Sequence, residues 1–152
     1  MRRRRLDFRD FDVLLADVDQ LQRSGCTRCG TWTLAQVCDH LGRALNASMN
    51  GFSSSKPWLV RAMGPLILKC VLFRRRIIAG VRAPAAAMPP ADADELACIA
   101  RLKELVAAYR AHTGDLYPHP MFGRMTRDQW TQFHLIHSAH HLGFLVPCGK
   151  DS

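Results

Sequence analysis

Residues 133–143, FHLIHSAHHLG, hold four of the chain's seven histidines. Imidazole can ligate a metal, move a proton or take a hydrogen bond, and spacing decides among these. On an α-helix His137 and His141 lie about 40° apart and one turn along the axis, so two ring nitrogens can reach one ion. On the same wheel Trp130, Phe133, His137, His141, Phe144 and Leu145 fall in a stripe about 120° wide. The pair therefore faces apolar neighbours. A buried polar group without a partner costs about 1 to 3 kcal/mol, so each ring needs one. A third ligand has to come from a neighbouring helix. His40 is the candidate, on the shoulder of an apolar face marked by Val37 and Leu41.

The other histidines separate by position. His134 is within about 20° of His141 by angle but about 10 Å away along the axis, and it is read with Trp130 as a cavity wall. His140, at the edge of the stripe, is placed to support a ligand from behind or to meet an adjacent helix. His112 and His119 fall near helix or loop ends, where a solvated or carbonyl-bonded ring is the default. From the residues alone two readings stand: a metal site made of His40, His137 and His141, or core histidines satisfied by hydrogen bonds.

The elements that must position these residues are helical. Phe8, Phe11, Leu14, Leu15, Val18 and Leu21 repeat at helical spacing, with Gly25 as a stop. In TWTLAQVCDHL, Thr33 and Gln36 make a capping box, Trp32 and Val37 a hydrophobic staple, and Gly51 ends the helix. FSSSKP turns the chain into an apolar connecting helix through about Phe73, which the Gly64-Pro65 step should bend or break. The proline-rich RAPAAAMPPADA reads as a linker within the domain. Asp92 with Glu95 opens the next helix, whose face is Leu96, Ile99, Leu102, Leu105, Val106 and Tyr109. The last helix starts at Thr126, with Gln129 as its capping-box partner and Met125 against Trp130 as the staple. No run alternates as a β-strand would. The expectation is an all-α chain, one domain over residues 1–152: an up-and-down antiparallel four-helix bundle with an additional short connecting helix.

Composition narrows the function classes. The net charge of +8 is concentrated in two arginine runs, residues 2–5 and 74–76, with no interleaved aromatics, so no nucleic-acid partner is expected. Residues 1–6 are read as a frayed basic end. Asp7, Asp10 and Asp12 interrupt what would be the apolar part of a signal peptide, and the apolar stretch 58–73 is too short and too charged for a membrane span. No membrane partner is expected, and the cytoplasm is the expected compartment. Six cysteines in a chain able to fold by its core read as free thiols, and the Cys26/Cys29 CxxC lacks the second pair of a zinc site.

Two segments carry a family likeness: WTLAQVCDHL from Trp32, and HPMFGRMTRDQWTQFHLIHSAHHL from His119. They resemble the DinB-like (YfiT-type) superfamily, and more closely an uncharacterised branch whose C-terminal motif runs HP-x-F-G, then Trp, then H-x-x-H-H-L. The likeness extends over nearly the whole chain. It implies a divalent metal on His40, His137 and His141, with zinc or nickel ahead of iron or manganese. It also implies a metal-dependent enzyme, either a transferase using a low-molecular-weight thiol or a hydrolase of a small-molecule substrate. The alternative is a non-catalytic helical binding or structural module, a homodimer in one form, whose metal site is stabilising or vestigial. Phe144 departs from the pattern, since related sequences often carry glutamine three residues after the final ligand.

Overall fold

The computed structural model describes residues 2–52, 58–77, 89–90 and 92–149, with 58–62 as backbone only. Among the described residues, five helices and one small two-stranded sheet make up the regular structure. Asp10 opens α1 (Phe11–Ser24) by accepting the Val13 N–H at 2.8 Å, and Phe11, Leu14, Val18 and Leu21 form its buried stripe. Gly25 ends α1 at φ 67°, a conformation that glycine adopts without a Cβ penalty.

The capping box at α2 (Leu34–Asn50) is formed as its sequence foretells. The Thr33 hydroxyl accepts the Gln36 N–H, and the Gln36 amide oxygen accepts the Thr33 N–H. The same reciprocal pair, Thr126 with Gln129, starts α5 (Arg127–Leu142). Each box satisfies amides that would otherwise be unpaired at a helix start, which fixes where the histidines on both helices begin to count. α2 packs against α4 (Glu95–Ala111) and α5, while α1 contacts both of these helices.

Several expectations need correction. Asp94, not Asp92, caps α4 by accepting the Ala97 N–H at 2.7 Å. Leu96 stands 66 % exposed and does not belong to the apolar face, whose other residues Ile99, Leu102, Leu105, Val106 and Tyr109 are all buried. α3 (Trp58–Arg74) runs through Pro65 without a break. A Cβ on Gly64 would strike the Met121 carbonyl, so glycine there lets α3 lie directly on the HPMFG loop. The opposite side of α3 leaves Met63, Leu66, Ile67 and Phe73 exposed. The FSSSKP turn and most of the proline-rich linker lie outside the described residues.

Residues 26–28 and 145–147 add a short antiparallel ribbon to the all-α expectation: β1 (Cys26–Arg28) pairs with β2 (Leu145–Pro147), Thr27 opposite Val146. Three residues per strand are too few for a period of two to register in sequence.

Beside this ribbon, Arg3 and Arg4 are anchored rather than frayed. The Arg4 N–H donates to the Gly143 carbonyl, and its guanidinium reaches the Leu142 and Leu145 carbonyls and pairs bidentately with Asp17 at 2.7 and 2.9 Å. Arg3 donates to the His140 carbonyl at 2.8 Å. Both cations meet the negative end of α5, where carbonyls lack helical partners.

Among the described residues no helix is long and apolar enough to cross a membrane.

Candidate metal centre

His40, on α2, lies seven residues past its cap, and His137 and His141 lie on successive turns of α5. Packing of α2 on α5 brings their ring nitrogens together, all within 4.8 Å of one another. The His137 Nε2 is 3.2 Å from the His40 Nε2 and 3.0 Å from the His141 Nε2. Three side chains separated by as many as 101 residues thus aim the same atom at one point.

Hydrogen bonding does not account for this arrangement. A neutral imidazole nitrogen is either a donor or an acceptor along one direction, so the His137 Nε2 cannot satisfy both neighbours. The His137 Nδ1 is buried with no partner among the described residues, so whichever nitrogen bears the proton, the ring is under-satisfied. A shared ion would engage all three Nε2 lone pairs at once. With metal–nitrogen distances of about 2.0 to 2.1 Å, ligand nitrogens at cis or tetrahedral angles stand about 2.9 to 3.4 Å apart, which brackets the observed separations. The residues present therefore fit a metal.

Electrostatics keep the donors ready. Burial first, then the neighbouring His141 and His40, hold the His137 ring far below its ordinary pKa. Burial, His40, His140 and Arg3 push His141 down to about 2. Both rings are neutral at pH 7, the form that donates a lone pair.

Aromatic rings wall the triad. Phe133 stacks on His137 at 5.6 Å between centroids, and on another side Trp32 stacks on His141 at 5.0 Å with 9° between planes. Trp32 also leans on His40 at 4.9 Å. The sequence offered Trp32 only as half of a staple. Its place one residue before the α2 cap was the available sign that its ring could cover the helix's first turns. His140 meets His141 edge-on at 5.0 Å and is held by Arg3, so it stands behind a candidate ligand.

His134 and Trp130, expected as cavity walls, are packed in the core. The His134 Nε2 lies 3.1 Å from the Ser48 hydroxyl, and its ring stacks on Trp130. The Trp130 Nε1 has no partner among the described residues. His119 departs from the default read for it. Its Nδ1 accepts the N–H groups of Met121 and Phe122, and its backbone pairs with Gly123, closing the HPMFG loop. His112 does keep a carbonyl contact, with Asp115. A groove of about 380 Å³ between α2 and α4, lined by Cys38, Asp39, Arg43 and Cys98, includes none of the three converging histidines.

No curated protein and no solved structure matches the chain. A family model does, over residues 1–148, and its description is "protein of unknown function". That match takes in both histidine-bearing helices and the HPMFG loop, and on it the chain belongs to the DUF1569 family, a member of the DinB-like fold clan.

Proposed function

We propose that the chain holds one divalent ion on His40, His137 and His141, inside a four-helix bundle of α1, α2, α4 and α5, and that it is a metal-dependent enzyme. The observation that carries this reading is the convergence of three Nε2 atoms on His137, whose ring the hydrogen bonds among the described residues leave under-satisfied. Zinc or nickel suits three imidazoles best, with iron or manganese as further options. Held by neutral donors, a divalent ion keeps its full charge and an open position, and so can lower the pKa of a bound water or thiol. Thiol transfer and small-molecule hydrolysis both follow from that chemistry. The protein's own part is to hold the three rings: Phe133 fixes the plane of His137, and Trp32 that of His141, against rotation. Phe144 packs against Gly30, and it stands where related sequences often carry glutamine.

Metal analysis of untagged protein tests the reading, with about one equivalent of zinc or nickel expected. Protein that carries no ion, and takes none up from micromolar zinc, overturns it.

A second reading, a structural module that pairs with another copy, is favoured by one observation. Leu66 and Ile67, three and four residues after Met63, and Phe73, seven after Leu66, stand exposed on the outer face of α3, an apolar stripe that a second copy would match with its own. Light scattering on wild type and Phe73→Glu would show a dimer becoming a monomer; a wild-type monomer at high concentration removes the reading.

A further inference from the structure

Beside the triad lies a cation that the fold does not pair with an acid. The Arg3 guanidinium sits 4.3 Å from the centroid of the Phe144 ring, and its Nη2 reaches both the carbonyl and the ring Nδ1 of His140. The His140 ring touches that of His141, so this guanidinium is one side chain removed from the converging nitrogens. Its neighbours are treated differently. Arg4 pairs with Asp17, and Arg75 and Arg9 share Asp7. Arg3 has no carboxylate among the described residues, and its Nε and Nη1 make no hydrogen bond with them. Burial, and after it the charge of Arg76, lower the pKa of Arg3.

Charge balance gives this arrangement a direction. The end of α5 offers about half a negative charge, which offsets Arg3 only in part. The three candidate ligands are neutral and would add nothing negative to the charge of a divalent ion. A partly desolvated cluster of cations without an acid is costly, and an oxyanion relieves it, because a guanidinium fork matches the two oxygens of a carboxylate or phosphate. Phe144 stacks under the guanidinium and holds its plane.

We propose that Arg3 is the anion-recognising residue of this site, and that the ligand it takes carries a carboxylate or phosphate group bound at the guanidinium, beside the triad. The inference rests on the metal reading for the ligand's second anchor, and the two can fail separately.

The test is calorimetric titration of acetate, and in a separate arm inorganic phosphate, into zinc-loaded protein: wild type, Arg3→Gln and Arg3→Lys. Zinc content is measured first on all three. Wild type should bind at least one of the two anions, and the arm that responds names the group. Arg3→Gln should weaken that binding about tenfold, while Arg3→Lys, which keeps the charge and loses the fork, falls between. Zinc stoichiometry should be the same in all three. Wild type that binds zinc but neither anion, or variants that bind the anion as well as wild type, overturns the role of Arg3 and leaves the metal site standing. Wild type without zinc overturns the metal reading, and the same titrations on metal-free protein then decide Arg3 alone. If Arg3→Gln does not fold by circular dichroism, Arg3→Lys decides, and unchanged affinity in it refutes the fork.

Discussion

Two groups of histidines pack among these helices, and they are built on opposite terms. His134 and His119 each have a partner of complementary type: a serine hydroxyl for one, two backbone N–H groups for the other. His40, His137 and His141 instead present the same atom to one another, and the His137 nitrogen, facing two others, cannot complement both. Burial is thus a poor guide to the role of a histidine, whereas what its ring faces is a good one. The first group belongs to folding. The second is the proposed metal site.

The contrast can be broken at its strongest point by His137→Ala. Loss of a central ligand should lower zinc affinity more than about 100-fold, beyond the range seen when residues that merely support ligands are removed. Competition with a chromophoric chelator reads this directly. The same variant should cost the metal-free protein little stability, since the ring it removes is under-satisfied.

His134→Ala should do the reverse. Loss of the ring leaves a cavity beside Trp130 and a weakened Ser48, a cost of about 2 to 4 kcal/mol in urea denaturation of metal-free protein. Zinc affinity should stay within about threefold. If His134→Ala lost the metal and kept its stability, the division between the two groups would be wrong.

Acid sharpens the same comparison. Burial pushes His134 down to about 3, with His119 contributing, and burial alone takes His119 to about 4. Both values lie below the ordinary pKa of about 6.5 expected in the unfolded chain. The unfolded state therefore takes up protons first as pH falls. Stability from these rings is fully present above about pH 6.5 and drains away between there and pH 3 to 4, by up to about 1.4 kcal/mol per pH unit for fully buried His134. Melting of metal-free protein from pH 7 to 5 should show the decline, and His134→Gln should make it shallower.

The smallest effect concerns what both groups share. Thr126→Ala removes the cap of the helix that carries His134, His137 and His141, and should cost about 1 kcal/mol in thermal melts. Because the cap lies more than two turns from His137, metal affinity should barely change.

What could be read in the sequence was local or periodic. The two T-x-x-Q boxes are complete within four residues, and the HxxxH pair declares its geometry through the pitch of a helix. His40 could be singled out because Val37 and Leu41 mark the inner face of α2. The residues that escaped notice meet partners far along the chain. Nothing near Arg3 or Arg4 announces the end of α5, and nothing in HPMFG says that Gly64 will lie against it. The place of His119 in a loop points to a solvated or carbonyl-bonded ring, but the loop folds over that ring and pairs with its backbone. Asp92 and Asp94 are both acceptable caps by composition, and only the backbone turn chooses between them.

The anchoring of Arg4 also sets an order of events. Its contact with Leu145 closes a loop of 141 residues, and the two ends of the site, His40 and His137, are 97 apart. Bringing together ends that distant costs about 4 kcal/mol of chain entropy, which nearby helix contacts must already have offset. During synthesis the arginines emerge well before the carbonyls they cap. A growing chain can form α1, α2 and α4 while the segment of Arg3 and Arg4 still hangs loose; that segment and the three histidines then close together, once α5 has formed.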